Sequence, residues 1–231
     1  MDIEKIKSTV ARHGSKNKAR ILQSFFKTGP GEYAEGDVFL GIQVPVLRML
    51  AKKFRSIRLS TAVRLLRSAI HEERFLALII LMDKYRTGSS CDRREIYRIY
   101  LNNTRHINNW DLVDVSAKWI VGGCLYEKDK KPLYDLAKSE SLWERRIAVL
   151  ATFYFIGRNR YEDSLKIARI LLRDEHDLIH KAVGWMLREI GKRDLAAEEA
   201  FLKRHHKAMP RTMLRYAIEK FPKSKRIAYM R

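Results

Sequence analysis

Four residues far apart in the chain, Trp110, Asp114, Arg146 and Trp185, set two indole rings and one carboxylate within a sequence that is otherwise strongly basic. Those residue types suit chemistry on a cation held against a polyanion. Aromatic faces attract positive charge, a carboxylate stabilises it where it develops, and a guanidinium fork holds a phosphate in two hydrogen bonds. Trp110 and Asp114 stand four apart in NNWDLVD, so a helix projects them from one face, one turn apart. Arg146 in LWERRIAVL and Trp185 in HKAVGWMLREIG fall in two later helices of similar pattern. Stacked in parallel layers, these helices would line one groove with all four side chains.

The elements that must position them are helical. Apolar residues recur at spacings of three and four, and strict alternation is hard to find, so no strand is expected. Breaks fall at Gly29-Pro30-Gly31, Val44-Pro45, Gly88-Ser89-Ser90, Pro132, Asp174, Gly191, Pro210 and Pro222, leaving room for on the order of a dozen amphipathic helices. The connectors are too short for a flexible linker, which predicts one continuous array over 1–231. Five segments place a small residue amid an apolar stripe, at Ala77, Ala117, Ala148, Ala182 and Ala217. Their spacing is close to the length of one antiparallel helix pair of an α-solenoid. The irregular first two intervals leave a non-repetitive helical bundle as the alternative.

The chain carries 47 Lys and Arg against 27 Asp and Glu, a net charge of +20, and 46% apolar residues, enough for a continuous core. Such a charge attracts phosphate backbones and other anionic surfaces. Stacked helix pairs curve, and a concave basic surface points to nucleic acid. The apolar runs FLALIILM and AVLATFYFIG stop well short of the roughly 20 residues a bilayer span needs. The charged N-terminal segment has no apolar signal core, so a cytoplasmic, nucleoid-associated protein is expected. Cys91 and Cys124 lack partners at metal-ligand spacing, and His205-His206 points its rings to different helix faces, so no metal or cofactor is expected.

The segments FLGIQVPVLR, NNWDLVD, LWERRIAVL, DLIHKAVGWMLREIGKRD and MPRTMLRYAIEKF, in that order over nearly the whole chain, resemble the AlkD family of DNA alkylation-repair glycosylases. The resemblance implies an all-α, right-handed solenoid of stacked antiparallel helix pairs, the HEAT-like repeat. It would grip duplex DNA in a concave basic groove as a monomer and remove cationic N3- or N7-alkylated purines without drawing the base into a deep pocket. It also implies a catalytic carboxylate at Asp114, groove tryptophans at Trp110 and Trp185, and a groove arginine at Arg146, with Arg145 one residue away. The N-terminal aromatic falls among Phe25, Phe26 and Tyr33. Lys181, Arg188, Arg211 and Arg215 are candidate contacts to the DNA backbone.

The chemistry follows without the family. A purine alkylated at N3 or N7 already carries positive charge, so its glycosidic bond is weakened and the leaving base needs no general acid. Charge then moves to the deoxyribose, where a carboxylate stabilises it and orients water. Taken singly, each residue has a plainer reading: Trp110, Trp185, Phe25 and Phe26 as core, Asp114 as a satisfied carboxylate, Arg146 as a partner of Glu144. Trp119, nine residues past Trp110, is expected on the far side of the same helix and in the core. Two further functions fit the charge, a non-catalytic binder of damaged or branched DNA and a repeat scaffold for an acidic protein.

Overall fold

A computed structural model describes residues 2–230 of the chain, which divides into two compact units, 1–116 and 117–231. Helices make up both. Among the described residues the only β pairing is an isolated bridge between Val38 and Ile70.

The first unit contains α1 (Ile3–Ala11), α2 (Lys16–Phe25), α3 (Val44–Lys53), α4 (Leu59–Leu66), α5 (His71–Thr87), α6 (Ser90–Leu101) and, at its end, α7 (Trp110–Ala117). Local sequence sets these boundaries. Ser15 caps α2, Pro45 sits in the first turn of α3, and Ser89 with Asp92 forms a reciprocal capping box at the start of α6. Helix α5 is central, with α3, α4 and α6 packed on it. It departs from the amphipathic pattern, because Glu72, Glu73 and Arg74 are buried along with the apolar residues that follow. Partners distant in sequence make this tolerable. The Glu72 carboxylate accepts hydrogen bonds from the amides of Leu40, Gly41 and Ile42 at 2.9, 2.8 and 3.1 Å. Gly41 itself has φ +82° and lies against the Ser15 carbonyl and the Ala19 amide, where a Cβ would overlap backbone.

The second unit begins with a π-helical turn, Lys118–Gly122, and continues with α8 (Gly123–Leu125), α9 (Lys131–Ala137), α10 (Leu142–Ala151), α11 (Phe153–Ile156), α12 (Glu162–Ile170), α13 (Asp177–Gly191), α14 (Leu195–His205), α15 (Arg211–Ala217) and α16 (Lys223–Met230). Here the repeat is visible in the packing: α10 lies on α13 and α13 on α15, while α9 backs α10, and α12 and α14 back α13. Ala148, Ala182 and Ala217 occupy the stacked helices and are fully or almost fully buried, as are Ala77 in α5 and Ala117 in α7. Gly184 takes the approach of α13 and α15 further, since a Cβ there would overlap the Met213 carbonyl.

Gly191, at the end of α13, leaves space filled by the Glu198 carboxyl of α14. Glu198 is 1% exposed and its Oε1 has no hydrogen-bond partner. Burial, reinforced by the neighbouring Glu199 charge and opposed by Arg188, pushes its pKa up from 4.5 to about 8. A carboxyl that holds its proton more tightly when folded stabilises the protein at low pH and loses that share as pH rises from 4.5 through about 8. Glu198→Gln, which cannot ionise, should therefore match the wild type near pH 4 and exceed it near pH 9 by on the order of a few kcal/mol. Thermal unfolding across that range checks this; parallel curves for the two proteins would show that Glu198 ionises as readily in the folded protein as in the unfolded chain.

Candidate functional site

Trp110 opens α7 and Asp114 follows one turn later, both half-buried. The Trp110 ring is fixed by an aromatic stack. Phe26 lies parallel to it at 5.1 Å, Phe39 parallel to Phe26 at 5.0 Å, and the His71 imidazole parallel to Phe39 at 4.3 Å. Phe25, 61% exposed, meets the Trp110 ring edge-on at 6.0 Å. Of the three N-terminal aromatics expected from the sequence, Phe25 and Phe26 both touch Trp110. Phe26 is core, as its apolar setting suggests, and Phe25 is not.

Beneath the stack lies a charged network that sequence reasoning missed. His71 sits between two carboxylates, Asp37 at 3.1 Å and Asp111 at 2.9 Å, and Asp37 also pairs with Arg74 at 2.6 Å. Asn109, fully buried, donates to Asp37 at 3.3 Å. Through Asp111 and Asn109 the first turn of α7 is tied to α5 and to the loop carrying Asp37, which sets the direction in which Trp110 and Asp114 project. Burial works against charge on His71, but the Asp111 charge and the hydrogen bonds to Asp111 and Asp37 outweigh it and raise its pKa. Burial works against the Asp37 charge too, but the His71 hydrogen bond, the Arg74 and His71 charges and the Asn109 hydrogen bond hold its carboxyl below its ordinary value. An imidazolium favoured in this way stabilises the fold below the ordinary histidine pKa and ceases to do so as pH rises through its elevated value. His71→Gln, which leaves the two carboxylates without that cation, should destabilise the protein by about 3 kcal/mol at pH 6. The deficit should shrink at pH 8. Denaturant titration at both values measures it, and a deficit independent of pH would mean that folding leaves the His71 pKa unchanged.

Next to the network, a cleft of about 470 Å³ opens between α2, the segment after Phe39 and the start of α5, with Ile21, Phe25, Val44, His71 and Asp111 among its walls. Asp114 faces a different environment. Tyr100, fully buried and bonded to Ser116 at 2.9 Å, keeps its proton well above the usual tyrosine range, because burial and then the Asp114 charge disfavour a phenolate while the Ser116 bond only partly offsets them.

In the second unit, Trp185 on α13 is half-buried, donates Nε1 to Glu189 at 3.3 Å and meets the Phe153 ring edge-on at 5.6 Å. Burial alone would raise the Glu189 pKa, but Lys192 at 2.5 Å, Trp185 and Arg193 hold it down. Trp119 is half-buried instead of sealed in the core. The π turn abandons the 3.6-residue period after Ala117, and Trp119 meets Tyr154 edge-on at 6.1 Å with Lys118 Nζ 5.0 Å from its ring. Arg146 is 5% exposed and donates Nη1 to the Leu178 carbonyl at 2.5 Å, at the start of α13. Arg145 pairs with Asp174 at 2.6 Å and donates to the carbonyls of Ser139 and Glu140.

The remaining candidate cations also have protein partners. Lys181 pairs with Asp177 at 2.7 Å, Arg188 with Glu219, Arg211 with the Met230 carbonyl at 2.6 Å, and Arg215 with the Thr212 hydroxyl at 3.4 Å. Arg211 and Arg215 are exposed, Lys181 and Arg188 half-buried. The structure therefore unites Trp110 with Asp114 in the first unit and sets Arg146 and Trp185 on the stacked helices of the second. Among the described residues no group of three His, Cys, Asp or Glu side chains is arranged to hold a metal ion, and no helix is long and apolar enough to cross a membrane.

Residues 6–221 match the sequence profile of the DNA alkylation repair enzymes, and the chain belongs to that family. Among solved structures, a "predicted DNA alkylation repair enzyme" from Enterococcus faecalis superposes with a TM-score of 0.70 at 17% identity, covering 91% of this chain and 98% of that one. AlkD2 from Streptococcus mutans superposes with a TM-score of 0.54 at 18% identity, covering 96% and 100%. At these identities the likeness is one of fold. Among curated proteins no match reaches significance.

Proposed function

We propose that this protein is a monofunctional DNA glycosylase that hydrolyses the N-glycosidic bond of cationic N3- and N7-alkylated purines in duplex DNA, the first step of base excision repair. One observation carries the reading: in a chain of the DNA alkylation repair family, a half-exposed carboxylate, Asp114, lies one helical turn from a half-exposed indole whose ring is held by Phe26. As the bond to the base breaks, Asp114 stabilises the positive charge that forms on the sugar and orients the attacking water. Trp110 and Trp185 attract the cationic nucleotide through their ring faces, each contact contributing on the order of 0.5–2 kcal/mol. Arg146, pinned to the Leu178 carbonyl, enters as a pre-set fork for phosphate, while the exposed Arg211 and Arg215 supply adaptable backbone contacts.

The test is incubation with methylated duplex followed by chromatography of the released bases. Release of 3-methyladenine or 7-methylguanine supports the reading. Tight, salt-sensitive binding without release would instead make the protein a non-catalytic reader of damaged DNA.

A further inference from the structure

A second reactive group lies in the unit that carries Trp185. Lys118 opens the π-helical turn, and the wider turn lets the adjacent Lys118 and Trp119 both reach the aromatic residues of α11. Lys118 Nζ sits 3.9 Å from the centre of the Phe153 ring, whose other neighbour is Trp185 at 5.6 Å. Among the described residues no carboxylate stands within ion-pairing distance of Nζ. The nearby charges are mostly positive: Arg158 lies 3.5 Å over the Tyr154 ring, and Arg193 is turned toward Glu189. Burial first, then Arg193 and Arg158, push the Lys118 pKa below the ordinary lysine value, with Glu189 opposing weakly. An amine desolvated among aromatic rings and flanked by cations is the usual setting of a lysine that attacks carbonyl carbon.

From this placement we infer that Lys118 is a nucleophile for the aldehyde of abasic DNA, forming a reversible imine that holds the product after a base has been lost. The sugar left at an abasic site opens to a free aldehyde at C1′. The neutral amine attacks C1′, the carbonyl electron pair moves to oxygen, and that oxygen takes the proton the nitrogen gives up, leaving a neutral carbinolamine. Loss of the hydroxyl as water, with one further proton, leaves the iminium. The sum is amine, aldehyde and one proton giving iminium and water, with no change of oxidation state. Water reverses it. The inference rests on the proposed glycosylase reading only for the origin of the aldehyde.

The experiment therefore uses duplex carrying a preformed abasic site, with cyanoborohydride to reduce the iminium to a stable secondary amine. A tetrahydrofuran site, which cannot open to an aldehyde, serves as the control. The wild type should give a covalent protein–DNA adduct with the abasic duplex and none with the control, and peptide mass mapping should place the linkage on Lys118. Lys118→Arg keeps the cation over Phe153 but should trap at least about tenfold less, while still releasing methylated base. Absence of an adduct from wild type shown to bind the abasic duplex, a linkage mapped elsewhere, or equal trapping by Lys118→Arg overturns the inference. Base release without an adduct refutes the imine alone, and an adduct without base release refutes only the glycosylase reading.

Discussion

Asp114→Asn is expected to slow release of 7-methylguanine by roughly 10²- to 10³-fold in single-turnover experiments, the loss typical of removing one preorganised electrostatic group. Asparagine preserves the shape of the side chain and removes its charge, so it isolates the electrostatic contribution. The α7 start should survive the change, because Asn109 and Asp111 anchor it to Asp37 and His71. DNA affinity should therefore stay nearly constant while the rate falls. Equal excision rates for the two proteins would remove Asp114 from the chemistry.

Affinity for undamaged duplex should fall about a thousandfold or more between about 50 mM and about 200 mM salt, as for a protein that neutralises six to ten phosphates. The basis is the net charge of +20, carried by Lys and Arg spread along the whole chain. Several of the candidate cations must exchange a protein partner for phosphate: Lys181 and Arg188 would leave Asp177 and Glu219, and both of those pairs are partly exposed and of low individual worth. Arg145 is less available, since its partner Asp174 is buried. Fluorescence anisotropy across a salt series gives the number of phosphates from the slope. A slope near zero, or failure of plain duplex to compete with an acidic protein ligand, would favour the scaffold reading over both DNA readings.

Much of the fold was legible because helices announce themselves locally. Proline marked the starts of α3, α9, α15 and α16, and the five alanines that mark repeating helices are all buried. What could not be read depends on partners far away in sequence. Nothing around Glu72 indicates that its carboxylate caps amides some thirty residues earlier, so a helix with buried charges looked amphipathic. Trp110 and Asp114 stood out through their spacing and motif, yet the stack of Phe26, Phe39 and His71 that fixes the indole joins three separate segments. Trp119 was placed by extending the α-helical period through residues that form a π turn instead. Lys118 had no motif at all. Only its position beside Phe153 distinguishes it from the other lysines of a lysine-rich chain.

The account rests on a leaving base that brings its own positive charge, with a carboxylate and aromatic faces but no acid to protonate it. Its most direct test is single-turnover excision from two otherwise identical duplexes, one carrying 7-methylguanine and the other the neutral base hypoxanthine. The account predicts release of 7-methylguanine alone. Release of hypoxanthine at a comparable rate, or of neither base from bound DNA, would contradict it.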